Sequence, residues 1–166
     1  MRAIATFAAI LLNFGAAAAQ EMAPPPAGTR LLLEAIGEGV QIYVCKPNEI
    51  GFYWEFKAPE ARLVDKQGHE VATHFAGPTW KATDGSSVVG QVIVRDDPPD
   101  SGAIPWLLLK ARSHDGAGVM ANVAFIRRSL TRGGQSAPAG CDAAHKGAEA
   151  RSPYSAFYQF YGAPAK

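Results

Sequence analysis

Residues 79–94 have the sequence TWKATDGSSVVGQVIV, and this stretch decides the fold class. Asp84-Gly85 separates two runs of strand-forming residues. A two-residue hairpin turn requires positive φ at both of its central positions, and Asp-Gly tolerates such angles. The pattern therefore predicts a β-hairpin that pairs Thr79–Thr83 with Ser86–Val94.

Further strand patterns with turn signals between them continue on both sides of this hairpin. The predicted strands are Val40–Cys45, Tyr53–Lys57, Ala61–Val64, Glu70–Thr73, Ile104–Leu109, Val119–Arg128 and Tyr154–Tyr161. The segment 104–109 is apolar on both faces, which is typical of a central strand. Only Asp142–Lys146 is compatible with a helical turn. We therefore predict an all-β fold, an antiparallel β-sandwich or barrel of about eight or nine short strands.

The N-terminal residues have the pattern of a secretory signal. Arg2 precedes an apolar run from Ala3 to Phe14, and small residues lead to Ala19. We predict a signal peptide over residues 1–19, a Pro-rich leader outside the core over 20–30, and a single β-rich domain over 31–166. The predicted location is periplasmic or secreted.

Charge and cysteine content agree with export. The chain has 16 Lys and Arg and 15 Asp and Glu, and removal of Arg2 with the signal leaves 15 of each. Such a balanced chain has no broad positive field for nucleic acid, and it has no second apolar run long enough to cross a bilayer. Cys45 and Cys141 are the only cysteines, so an exported domain is expected to join them in one disulfide.

The candidate ligand surface lies around the Gly77-Pro78 bend. His74, Thr79, Trp80 and Asp84 bring an imidazole, a hydroxyl, an indole and a carboxylate to one short stretch, and Trp54 or Tyr154 are possible neighbours. Such a group suits a glycan or another small polar molecule, because flat rings stack on sugar faces. The same residues are also compatible with a wall of the core or with turn closure.

Several catalytic and cofactor patterns fail in this sequence. His69 and His74 are five residues apart on a predicted strand, so they do not form the helical pair of zinc proteases. Gly37-Glu38-Gly39 has Ile42 where a dinucleotide fold needs its third glycine. No Gly-x-Ser-x-Gly elbow and no phosphate-binding loop occurs. We therefore assign no catalytic residue, no metal ligand and no cofactor.

The whole pattern resembles the secreted, uncharacterised family known as domain of unknown function 3455. The segments that carry the resemblance are Gly39–Cys45, Pro59–Leu63, Ala76–Trp80 with Asp84–Ser86, Ala103–Leu108, Thr131–Gly134 and Gly140–Asp142. The resemblance implies export and a β-rich fold, with no established activity. Some fungal members carry a malate dehydrogenase label, and the missing glycine fingerprint argues against that activity here.

These observations favour an exported, disulfide-linked binding or envelope-associated protein rather than an enzyme. One alternative is a hydrolase or metal-dependent enzyme that uses His74 as base or ligand and Asp84 as its partner, which requires the two side chains to converge. The other is a purely structural envelope component, in which the patterned residues all pack inward.

Overall fold

The computed structural model describes residues 22–164, so the predicted signal peptide lies outside the described part. It contains eight β-strands and two short 3₁₀ turns. The strands are β1 Arg30–Asn48, β2 Gly51–Val64, β3 Glu70–Phe75, β4 Thr79–Ala82, β5 Ser87–Asp96, β6 Trp106–Asp115, β7 Val123–Gly133 and β8 Glu149–Gly162. Over residues 22–164, no helix is both long enough and apolar enough to cross a bilayer.

The eight strands form one closed antiparallel barrel. Each strand pairs with the next along the chain, and β8 pairs with β1 to close the sheet. The prediction of an all-β antiparallel fold is confirmed. Of the two predicted architectures, sandwich or barrel, the structure has the barrel. Closure removes the two outer edges of the sheet, but among the described residues β2 and β5 extend past the short strands β3 and β4 and have no partner strand on that side.

Several strands are longer than the sequence pattern predicts. The predicted strands Tyr53–Lys57 and Ala61–Val64 are parts of the single strand β2, which runs through Pro59. β3 pairs with β2 only over residues 61–64, so Pro59 lies in a part of β2 that has a partner strand, β1, on one side only. The predicted strand Val119–Arg128 begins later, because Val119–Asn122 forms a 3₁₀ turn before β7.

The hairpin predicted at residues 79–94 forms, with a shorter paired segment and a longer turn than predicted. β4 pairs with β5 in the register Thr79↔Val89 and Lys81↔Ser87. Among the described turn residues only Gly85 has positive φ, at 90°. The turn is closed by hydrogen bonds from Gly85 N to Ala82 O and from Ala82 N to Ser86 O. The two-residue turn is therefore replaced by a looser turn in which glycine alone supplies the left-handed angle.

One end of the barrel is closed by the 3₁₀ turn at Val119–Asn122. This turn packs against β4, β5 and β6, and its Met120 side chain is fully buried in the interior cluster. Asp84 holds the turn in place, because its carboxylate accepts hydrogen bonds from Val119 N at 2.8 Å and Ser86 N at 2.9 Å. We call this end, with the β4–β5 turn, the closed end.

The leader is partly integrated into the structure, contrary to the prediction that it lies outside the core. Met22 is only 1% exposed and packs on the outer face of the barrel against Trp106 and Leu108. Arg127 donates a hydrogen bond to the Met22 carbonyl at 3.3 Å. This contact explains why β6 is apolar on both faces, since one face meets the barrel interior and the other meets the N-terminal segment.

The predicted disulfide between Cys45 and Cys141 is confirmed. It joins β1 to the loop between β7 and β8, across a Cα–Cα distance of 5.3 Å and a sequence separation of 96 residues. That loop contains the 3₁₀ turn Ala143–His145, at the position of the predicted helical turn, and Asp142 caps it. The bridge therefore anchors a long loop to the end of the barrel opposite the closed end.

Candidate functional site

A cavity of about 570 Å³ lies in the barrel toward the end that carries the β3–β4 turn and the β5–β6 loop. We call it the mouth cavity. The interior of an eight-stranded barrel is either filled by side chains or wide enough for one small ligand. Here side chains fill the closed end, and the cavity lies at the opposite end. The lining residues are Gln41, Tyr43, Phe56, Lys57, Pro59, His74, Ala76, Gly77, Pro78, Val92, Arg95, Ile104, Pro105, Leu107 and Arg128.

The mouth cavity is bordered by the shortest hairpin of the barrel. β3 and β4 contain 6 and 4 residues, whereas their neighbours β2 and β5 contain 14 and 10. The wall between β2 and β5 is therefore lower here. Phe56 and Val92, from the two long strands, and the Gly77-Pro78 bend all line the cavity beside this gap. The bend that the sequence singled out thus forms part of the rim.

Arg128 is the buried cation of the mouth cavity. It lies on β7, and only 9% of its surface is exposed. Its Nε and Nη2 both donate to the Pro105 carbonyl oxygen, at 3.2 and 2.8 Å. Among the ion pairs formed by the described residues, none includes Arg128. A buried charge without an opposite charge is costly, so this guanidinium is positioned by Pro105 but not neutralised.

Gln41 contributes a buried amide to the same cavity. Its side chain on β1 is 3% exposed, and its Nε2 has no hydrogen-bond partner among the described residues. Burial raises the pKa of the Tyr154 hydroxyl, and the nearby Gln41 amide partly opposes that shift, although the two groups lack the geometry of a hydrogen bond. A buried N–H group that donates to nothing is uncommon in folded proteins and calls for an explanation.

His74 lies beside these groups as a neutral ring. Its Nδ1 donates to the Thr79 carbonyl oxygen at 2.9 Å, because a carbonyl can only accept, and this leaves Nε2 as an acceptor. Burial lowers the pKa of His74 to about 3, and the nearby Arg128 charge acts in the same direction. The ring stacks on Trp80 with centroids 4.3 Å apart and planes 5° apart. His74 is therefore uncharged at neutral pH and held rigidly.

Two tyrosines pack below the polar groups. The hydroxyls of Tyr154 and Tyr158 are 3.2 Å apart, and both rings are buried in the interior cluster. Burial raises the pKa of both hydroxyls, so each remains protonated at neutral pH. Gly37 makes room for this packing, because a Cβ there would lie 2.5 Å from the Tyr158 ring. Neither tyrosine supplies a negative charge to Arg128.

The predicted site residues are dispersed through the fold. Trp80 is 1% exposed and has no surface on which a sugar could stack, although its indole N–H has no partner among the described residues. The Thr79 hydroxyl donates to Ala76 O at 2.8 Å and closes the bend. Tyr154 packs in the core, and the indole of Trp54 donates to Ala139 O at 3.1 Å, beside the disulfide-linked loop. Of the predicted group, His74 and the bend line the cavity.

His74 and Asp84 do not form the catalytic pair of the enzyme alternative. His74 lies near the mouth cavity and bonds to Thr79, whereas Asp84 lies at the closed end and bonds to Ser86 and Val119. These hydrogen bonds lower the pKa of Asp84 and give it a structural task. Within residues 22–164, no three His, Cys, Asp or Glu side chains are grouped closely enough to hold a metal ion.

These features define a closed eight-stranded antiparallel barrel with one plugged end and one cavity-bearing end. The chain belongs to the DUF3455 family, which is described as a protein of unknown function, and the family model matches residues 26–162. No curated protein and no solved structure matches the chain. The resemblance seen in the sequence is thereby confirmed, and any function must be argued from the mouth cavity itself.

The two central polar residues, Gln41 and Arg128, were not predicted from the sequence. A signal for each is present in the strand alternation. Gln41 is polar within the strongly apolar strand Val40–Cys45. Arg127 and Arg128 are consecutive, and neighbours on a strand point to opposite faces, so one of them must face the barrel interior. The pattern predicts an inward arginine but not what surrounds it.

Proposed function

We propose that this protein binds a small organic molecule in the mouth cavity and acts as an exported binding protein. The observation that carries the proposal is a cavity of about 570 Å³ whose floor holds the Gln41 amide, with an Nε2 that has no partner among the described residues, and the Arg128 guanidinium, which donates to Pro105 but forms no ion pair among them. Groups of this kind in a concave, mostly apolar site are typical of ligand binding. A core built only for stability would have apolar side chains in their place.

The shape and lining favour a small molecule over a polymer such as a glycan chain. Phe56 and Val92 are half-exposed apolar residues on either side of the low wall, and Leu107 and Pro105 continue the apolar surface inward. An apolar ligand body would remove this surface from water. The buried position of Trp80 removes the ring that the glycan hypothesis required. The single Cys45–Cys141 disulfide supports export, because such bridges persist in oxidising compartments.

The proposal is tested with two fluorescent probes of the same shape, the anion 8-anilinonaphthalene-1-sulfonate and its uncharged parent N-phenyl-1-naphthylamine. We expect at least one to bind with a stoichiometry of one per chain. Val92→Trp should block the cavity and abolish that binding. The matched control is Ile93→Trp on the same strand, because Ile93 is exposed and does not line the cavity.

If neither probe binds, or if the Val92→Trp and Ile93→Trp variants bind the probe equally well, the mouth cavity is not a ligand site. Circular dichroism of both variants should match the parent protein, because each substitution is at an exposed position of β5.

A further inference from the structure

The mouth cavity contains an imbalance of charge. Its charged lining residues are Lys57, Arg95 and Arg128, and no aspartate or glutamate lines it among the residues that the structure describes. Lys57 is neutralised at the surface by an ion pair with Glu149. Arg95 is exposed at the rim, whereas Arg128 is buried on the floor. The charge that water screens least is therefore the one deepest in the cavity.

The floor presents the Arg128 guanidinium and the Gln41 amide as donors, and the neutral His74 ring adds an acceptor at Nε2. Arg128 donates through Nε and Nη2 to one carbonyl oxygen, and among the described residues Gln41 Nε2 has no acceptor. The Tyr43 hydroxyl, which also lines the cavity, already donates to Gly134 O at 2.7 Å. A carboxylate accepts several hydrogen bonds, and its negative charge would pair with the positive charge of Arg128.

The number of buried charges limits the charge of the ligand. His74 is neutral, and the hydroxyls of Tyr154 and Tyr158 are protonated, so Arg128 is the single buried charge among the described groups of the floor. One negative charge balances it, and a second would be buried without a partner. The apolar surface of Phe56, Val92 and Leu107 lies between the floor and the solvent, which suits a hydrophobic ligand body.

We infer that the ligand is an amphipathic monocarboxylic acid, bound with its carboxylate on Arg128 and Gln41 and its apolar body toward Phe56 and Val92. This inference rests on the proposed function and adds the chemical class of the ligand. The carboxylate would neutralise the buried guanidinium and accept the unused N–H of Gln41. The apolar body would cover the half-exposed residues of the low wall.

The test compares 2-naphthoate with 2-naphthamide by isothermal titration calorimetry at pH 7. The two molecules have nearly the same shape and differ in charge. We expect the acid to bind at least tenfold more tightly than the amide. Arg128→Met should remove this preference, and Gln41→Met should weaken binding of the acid severalfold. The control is Arg151→Gln, which removes one positive charge from an exposed ion pair with Glu60 outside the cavity and should leave both affinities unchanged.

The outcomes distinguish failure of the carboxylate inference from failure of the proposed binding function. Equal affinity for the acid and the amide overturns the carboxylate inference, and it leaves the binding function standing if the Val92→Trp variant still abolishes probe binding. Failure of both naphthalene ligands to bind, while a probe binds in the cavity, also overturns the carboxylate inference. Failure of every ligand overturns the proposed function. The comparison of acid with amide uses the unmodified protein, so it does not depend on the folding of Arg128→Met.

Discussion

Replacing Gln41 by methionine should make the protein more stable. Gln41→Met preserves the length and the unbranched shape of the side chain and removes the Nε2 donor that has no partner. A buried unsatisfied donor costs about 1–3 kcal/mol. The amide also has a weak polar interaction with the Tyr154 hydroxyl, which the variant loses. We therefore expect a net gain of about 1 kcal/mol in the free energy of unfolding.

The assay is urea unfolding at pH 7 with the disulfide intact, monitored by tryptophan fluorescence. In a thermal melt, the same gain of about 1 kcal/mol raises the melting temperature of a protein of this size by about 3 °C. The matched control is Gln159→Met on β8, because Gln159 donates to Glu34 at 2.9 Å and accepts from Arg127 at 3.3 Å. That variant should lose stability. A loss of stability in Gln41→Met as well would refute the reasoning, since it would mean that the Gln41 amide is satisfied in the unliganded protein.

Three further predictions concern stability. Because burial lowers the pKa of His74 to about 3, only the unfolded chain gains a proton there as pH falls below 6.5, so stability present at neutral pH is lost on acidification. Between pH 7 and pH 5 this amounts to about 2 kcal/mol, and urea midpoints of His74→Phe should fall less over that interval, whereas equal falls would contradict the assignment. Joint replacement of Cys45 and Cys141 by alanine should reduce stability by up to about 4.7 kcal/mol, and an added reductant should then have no effect on the melting temperature. Met22→Ala should cost about 2 kcal/mol and shift the fluorescence of Trp106 to longer wavelength, and an unchanged spectrum would show that the N-terminal contact is not formed in solution.

Local patterns were enough to predict the strands but not their closure into a barrel. The Asp84-Gly85 turn and the alternation after it predict the β4–β5 hairpin, because both depend on neighbouring residues only. The pairing of β1 with β8 joins residues more than a hundred positions apart and has no local signal. Tyr53–Lys57 and Ala61–Val64 were predicted as separate strands, whereas they are parts of the single strand β2, which continues through Pro59 where only one side is paired.

The candidate site was predictable only in part for the same reason. His74 and the Gly77-Pro78 bend are local features, and they do line the mouth cavity. Gln41 and Arg128 are 87 positions apart, and they reach one cavity only because the sheet closes. Trp80 was predicted to contact a ligand because polar residues lie near it in the sequence. The hairpin pattern alone did not indicate which face of β4 points into the barrel. The indole of Trp80 packs inside the barrel, within the interior cluster.

The contact of Met22 with Trp106 and Leu108 makes the position of any N-terminal cut important for the finished molecule. Cleavage after Ala19, as we predict for export, leaves only two residues ahead of that methionine. A protease or a cloning design that removed three more would uncover an aromatic and aliphatic strip on the outside of the sheet. Such a shortened product would keep every strand and the disulfide, yet it would be the more adhesive form, and preparations of this protein should be compared only when their first residue is the same.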